Sequence, residues 1–133
     1  MTTQELRNTH DQRLAGLRIL VVEDEFYIAD DVARALEGAG AQVVGPVPTL
    51  ARAEEQIGED GFDFAILDLN LHGENGVQIA ERLAAQHIPF VFATGYGSPS
   101  VPDRFSHVPK CEKPFDPGAL VGLVARTVAK RAT

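Results

Sequence analysis

The chain has 133 residues, room for one domain at ~100–200 residues per domain and enough to bury a core without disulfide or metal staples. Lys and Arg number 12 against 19 Asp and Glu, a formal net charge of −7, which argues against nucleic-acid or anionic-membrane binding, since both need a basic face. The lone Cys111 excludes an internal disulfide, no apolar run approaches the ~18 residues of a membrane span, and the polar stretch Met1–Gly16 lacks a signal-peptide core, so a reducing cytoplasm is expected.

Residues 1–16 read as an N-terminal extension, either a short helix through Leu6 and Leu14 or disordered. Leu17–Val22 (LRILVV) is a β-branched-rich run that predicts a buried strand. Ala29, Val32, Ala33 and Leu36 then recur at helical spacing, and Gly38 and Gly40 end that helix. Ala41–Gly45 predicts a second strand, Pro46 and Pro48 a turn, and Thr49 the cap of a helix that buries Leu50, Ala53 and Ile57. A third strand is predicted over Phe62–Leu67, a polar loop over Asn70–Gly76, and a third helix to Gln86 with Val77, Ala80, Leu83 and Ala84 inward. Pro89–Ala93 predicts the fourth strand and Val108–Cys111 a weaker fifth. Asp116 and Pro117 cap and open a last helix, with Leu120, Val121, Val124, Ala125 and Val128 as its stripe.

Five short strands with helix-length connections predict an α/β fold, an open doubly wound parallel sheet. One connection departs from the pattern. Gly95–His107 carries two Gly and two Pro with scattered apolar residues, so its helix, the fourth, is expected to be short or mobile.

The polar residues fall at strand ends: Glu23-Asp24 after the first, Asp68 after the third, Thr94 after the fourth, Lys113 just past the fifth. Ligands of an open α/β sheet sit outside the carboxyl ends of its strands. On its own, Glu23-Asp24 reads as a solvated helix start, Asp68 as a cap and Lys113 as a surface charge. Together the three carboxylates read as an all-oxygen site for a hard cation, Mg²⁺ fitting best. With Thr94 as a hydroxyl donor and Lys113 as a cation, the set describes a pocket for a phosphoryl group with a carboxylate nucleophile. Cys111 reads as a small buried side chain, and His10, His72, His87 and His107 as scattered surface residues without metal-ligand spacing. Arg126, Lys130 and Arg131 favour the dipole at the end of the last helix.

In these motifs the chain resembles the response-regulator receiver domains of two-component signalling. Glu23-Asp24, Asp68 in ILDLNL, Thr94 in FATGY and Lys113-Pro114 in EKPF stand in order, each at its strand end, across Leu17–Ala129. FATGYG after Pro89-Phe90-Val91 is similar to the "FAT GUY" group of single-domain receivers, associated with histidine-kinase stress signalling in α-proteobacteria. The resemblance implies a flavodoxin-like five-stranded parallel sheet in the order 2-1-3-4-5, and a receiver over residues 17–131 with no output domain. Asp68 would accept a phosphoryl group from a histidine kinase or phosphotransfer protein, making the chain a phosphoacceptor and not a conventional enzyme. It implies Mg²⁺ held by Asp24, Asp68 and the Asn70 carbonyl, with Glu23 acting through a metal-bound water. It implies phosphoryl contacts from Lys113 and Thr94, and a cis Lys113-Pro114 peptide.

The chain departs from the family at Lys110, where receivers carry an exposed aromatic three residues before the lysine. Tyr96, in the Gly-flanked loop, is the expected substitute in the switch with Thr94. The alternatives are a pseudo-receiver that only binds proteins and another enzyme on a doubly wound sheet. A flavin site lacks its phosphate loop after the first strand, and a dehalogenase-type phosphatase wants Asp where the chain has Asn70.

Overall fold

The computed structural model describes residues 12–95 and 98–132. Five parallel strands, β1 (Arg18–Val22), β2 (Gln42–Val47), β3 (Phe64–Asp68), β4 (Phe90–Thr94) and β5 (Lys110–Glu112), form one sheet in the order β2-β1-β3-β4-β5. The helices are α1 (Phe26–Gly38), α2 (Leu50–Glu59), α3 (Val77–Ala85) and α4 (Pro117–Ala132). This is the doubly wound sheet that the strand–helix alternation predicts.

Side chains alternate across the sheet and so divide the core in two. Leu20 and Val22 of β1, Ala65 and Leu67 of β3, and Phe90 and Phe92 of β4 pack on the side that buries Ala53 and Ile57 of α2 and Ile79 and Leu83 of α3. Ile19, Val21, Phe64, Ile66, Val91 and Ala93 face the other way, onto Val32 and Leu36 of α1 and Leu120, Val121 and Val124 of α4. Leu14 is buried in this second cluster, and its N–H donates to the Ala39 carbonyl at 2.9 Å. Packing thus starts before the boundary expected at residue 17. The caps read from sequence are present: Thr49 accepts from the Arg52 N–H at 3.1 Å and Asp116 from the Ala119 N–H at 3.0 Å.

Several boundaries shift. β3 begins and ends later than Phe62–Leu67, so Asp68 is its last residue, paired with Ala93. β2 runs on through Pro46 to Val47, past the expected stop at Gly45. β5 is Lys110–Glu112 and not Val108–Cys111; Val108 closes a turn instead, its N–H donating to the Phe105 carbonyl at 3.0 Å. The loop expected at Asn70–Gly76 holds a small antiparallel pair, Asn70–Leu71 with Glu74–Asn75. In α3 it is Ile79 that is buried, while Ala84 is exposed.

Among the described residues, the fourth crossover contains one 3₁₀ turn, Asp103–Phe105, where the other crossovers have full helices. The turn is pinned by Phe105, whose ring meets Phe90 and Phe92 edge-to-face at 5.9 and 6.2 Å. We expect Phe105→Ala to cost about 3 kcal/mol in urea unfolding and to raise amide exchange across residues 98–107 more than in α1. Phe105→Leu should lose less than half as much. Unchanged exchange in the alanine variant would show that the ring does not hold the crossover.

Candidate functional site

The order reversal between β1 and β3 puts their carboxyl ends side by side, with β1 paired to β3 up to Val22↔Leu67. The next residues of each chain supply the acids. Glu23 follows β1 directly, its N–H held by the Val47 carbonyl of β2 at 3.0 Å, and Asp68 ends β3. Carboxylate oxygens of Glu23, Asp24 and Asp68 lie within 4.8 Å of one another. Glu23 and Asp68 are 4% and 2% exposed, the buried polar side chains of the described residues.

Lys113 answers this charge. Its Nζ lies 2.6 Å from Glu23 Oε1 and 3.0 Å from Asp68 Oδ2. Burial alone would lower the Lys113 pKa, but its bonds to Glu23 and Asp68 raise it above the ordinary lysine range. Burial pushes Glu23 up to about 7, with Asp68 adding to the rise and Lys113 and the Glu25 N–H, which donates to Glu23 Oε2 at 3.1 Å, opposing it. The lysine is positioned by the sheet: its N–H donates to the Thr94 carbonyl at 2.6 Å, its side-chain stem runs beside Gly95, and the Lys113-Pro114 peptide is cis, as expected. Thr94, the last residue of β4, pairs with Glu112 and is half-buried at this rim. Ser98 Oγ accepts from the Gly95 N–H at 2.9 Å and ties the following loop to it. Tyr96 lies outside the described residues. Lys110 is exposed on the edge strand. Cys111 is buried and its thiol pKa is pushed up by that burial, as for a structural cysteine.

The short hairpin after β3 completes the site. Asp68 Oδ1 accepts from the Asn70 N–H at 2.9 Å, Asn70 Oδ1 from the Gly73 N–H at 3.1 Å, and Asp24 Oδ2 from the His72 N–H at 2.7 Å. His72 reaches Asp24 because its φ is +51°, and its imidazole Nδ1 stands 3.5 Å from the same oxygen. The sequence places His72 on the surface, where its ring is, but gives no sign of this bond. Gly76 is a second missed residue. A Cβ there would sit 2.8 Å from the carbonyl oxygen of Asp68, so the glycine lets α3 start against the backbone of the acid.

A cleft of about 530 Å³ opens over these groups, lined by Asp24, Asp68, Asn70, Gly95 and Lys113 among others. The donor set fits Mg²⁺: three clustered carboxylates, with Asn70 beside them and no nitrogen or sulfur ligand in the cluster, are the hard oxygen donors that ion takes. The arrangement can hold a divalent cation, present a carboxylate to an electrophile and place an ammonium beside it.

A profile of the response regulator receiver domain matches residues 19–125. The swarming motility regulation protein RssB of Serratia marcescens is 40% identical over 80 residues, 59% of this chain and 36% of RssB. The chain spans about a third of the length of the curated relatives it matches. Among solved structures, SdrG from Sphingomonas melonis Fr1 is 43% identical with a TM-score of 0.73, over 88% of this chain and 95% of SdrG. SdrG in its BeF₃-activated conformation is 44% identical with a TM-score of 0.69, over 85% of this chain and 98% of that one.

The raised Glu23 pKa has a sign that can be measured. A folded-state pKa above the unfolded ~4.3 means the native state binds more protons in between, so stability falls as pH rises from about 4.5 through 7. In metal-free buffer the unfolding free energy should drop by an amount on the order of 1–3 kcal/mol across that window. Glu23→Gln should flatten the drop, and a wild-type profile rising with pH there would contradict the assignment. Gly76→Ala should cost about 1–3 kcal/mol and move the Asp68 amide resonance, whereas a silent substitution would mean the helix start is not tightly seated.

Proposed function

Since the chain belongs to the response regulator receiver domain family, we propose that it accepts a phosphoryl group from a histidine kinase or phosphotransfer protein onto Asp68, with Mg²⁺, and signals through changed protein contacts or phosphate flow. The observation that carries this reading is the contact of Lys113 Nζ with Asp68 Oδ2 at 3.0 Å beside the Glu23–Asp24 pair. A carboxylate with an ammonium and two further acids at one strand end is equipped for phosphoryl transfer.

In the step proposed, an Asp68 oxygen attacks the phosphorus of a phosphohistidine. An O–P bond forms, the N–P bond breaks, and the departing imidazole nitrogen takes the bonding pair and a proton. Lys113, anchored to the Thr94 carbonyl, pairs with the charge gathering on the phosphoryl oxygens. The Asn70 N–H on Oδ1 orients the nucleophile. Asp24, Asp68 and Asn70 would hold Mg²⁺, with Glu23 acting through a water, and the ion would supply positive charge against the crowded oxygens. Thr94, with Tyr96 as its proposed partner, turns toward the phosphoryl group and shifts the population of the Thr94–His107 segment. The short fourth crossover supports that assignment, since one 3₁₀ turn has little to lose on rearranging.

The chain covers 95% of SdrG, a relation that supports a receiver acting by itself as the proposed arrangement. No helix of the described residues is long and apolar enough to cross a membrane, which accords with the proposed cytoplasmic setting. A pseudo-receiver would lack the acceptor or its lysine, and here the two are in contact.

Acetyl phosphate with Mg²⁺ should label the wild type, and EDTA or Asp68→Ala should abolish labelling. Lys113→Met should slow it by roughly a hundredfold, the scale of losing one preorganised electrostatic donor. Labelling that survives Asp68→Ala would place the acceptor elsewhere, and no labelling of the wild type would favour the pseudo-receiver.

A further inference from the structure

A second cleft, of about 690 Å³, lies at the opposite end of the sheet from Asp68, where β4 and β5 begin. Its inner wall is apolar, with Phe90 and Val108 buried and Ile88 and Leu123 half-buried. The titratable side chains around it are of one kind. His87 comes from the turn after α3, His107 from the close of the fourth crossover, and Arg126 and Lys130 from successive turns of α4. All four are exposed, and no Asp or Glu lines the cleft among the described residues.

The chain as a whole carries a formal net charge of −7, yet α4 has no acid in its 16 residues. Cations suit the carboxyl end of a helix. That accounts for Arg126 and Lys130, but it does not bring histidines from two other segments to the same place. Arg126 makes no ion pair among the described residues. Its Nη1 and that of Arg13 lie 3.2 and 3.9 Å from the point a Gly122 Cβ would occupy, so two guanidinium groups are neighbours here. The backbone at the strand-opening prolines offers them little. The Pro89 carbonyl accepts from the Ala65 N–H at 3.1 Å and the Pro109 carbonyl from the Phe92 N–H at 3.0 Å. A cleft lined by one sign of charge over an apolar wall concentrates the opposite charge.

The scale fits a small molecule. Ligand pockets span roughly 300–1,000 Å³, with apolar walls and a few polar groups. A protein partner needs about 800 Å² of surface with apolar anchors. The large hydrophobics exposed among the described residues, Phe26 and Tyr27, lie at the other end of the sheet. We propose that the cleft binds a small organic phosphate. Arg126 and Lys130 take the phosphate, His87 and His107 supply further donors, and Ile88, Phe90, Val108 and Leu123 seat the organic body. A phosphate monoester carries about two negative charges and three acceptor oxygens at neutral pH, which matches the two permanent cations and leaves an oxygen for an imidazole. A carboxylate would leave one cation unanswered, and guanidinium geometry suits phosphate oxygens. The proposal stands apart from Asp68 and does not rest on its being the phosphoacceptor.

The test is an NMR titration of the full chain in EDTA, which keeps phosphate from binding through a metal at the acids. The probes are AMP and phenyl phosphate, set against adenosine, phenol and inorganic phosphate. At least one organic phosphate should move the amides of His87, Ile88, Val108 and Thr127 while those of Asp68 and Thr94 stay still. It should bind about tenfold or more tighter than its phosphate-free body or inorganic phosphate. Arg126→Gln/Lys130→Gln replaces exposed side chains, so the fold stands, and it should weaken binding about tenfold or more, the scale of lost charge-assisted contacts. Lys110→Gln, an exposed cation outside the lining, should leave binding within about twofold. No movement with either organic phosphate at concentrations on the order of 10 mM overturns the proposal. So does inorganic phosphate binding as tightly, which would mean an adventitious ion only, or the phosphate-free body binding as tightly, which would mean a bare apolar cleft. So do equal losses in the two variants, or movement centred on Asp68 and Lys113. A peptide of Asp, Glu and Leu that moves these amides when neither organic phosphate does would overturn it in favour of a protein partner.

Discussion

Glu23, Asp24 and Asp68 hold three carboxylates within 4.8 Å at the ends of two neighbouring strands, two of them almost fully buried. Charge confined in this way must be answered from within the protein or by a bound cation. Lys113 gives the internal answer, bridging Glu23 and Asp68 from the edge of the sheet. Burial pushes Glu23 up toward about 7, the Lys113 ammonium opposes the rise and Asp68 adds to it. The crowding of three carboxylate oxygen donors is the physical reason a hard dication suits the site.

The bridge also ties distant parts of the chain to one point. Lys113 is 45 residues from Asp68 in sequence, and its backbone N–H is held by Thr94 at the end of β4. Any group that draws Lys113 away from Glu23 and Asp68, or recruits Thr94, therefore pulls on the ends of β4 and β5 together. The loop between those strands is the least helical crossover of the fold, fastened by Phe105 at one end and by the Ser98–Gly95 bond at the other. The segment is thus tied at its start to the strand end that holds Lys113 and at Phe105 to the core.

Much of this was legible in the residues. Apolar runs on β1, β3 and β4 and the stripes at Ala29–Leu36 and Leu120–Val124 gave the doubly wound sheet buried on both faces, while its strand order came with the receiver resemblance. The acids and the lysine followed from their place at strand ends, because a doubly wound sheet converges those ends. Boundaries were less legible. Phe62 and Val108 are apolar enough for a strand, but each is buried outside the ladder, and burial does not reveal backbone pairing. Ala84 misled for the opposite reason: a small apolar residue costs little when it is exposed. The bond from His72 to Asp24 and the seat of Gly76 on Asp68 were invisible, since both depend on backbone approach between segments.

The aromatic pair at Phe26 and Tyr27 shows where a pattern must be read against geometry. In sequence, Phe26 falls three residues before Ala29 and is in step with the buried stripe of α1. A helix that starts at a strand's carboxyl end projects its first turn beyond the sheet, so a residue in register with the stripe has no core beneath it. The same offset that exposes the rings sets them beside the acids, because the chain turns from Glu23-Asp24 into α1 within two residues. The placings of Glu23-Asp24 and of the exposed aromatic pair are therefore consequences of one turn, and moving the start of α1 by a residue would disturb both together.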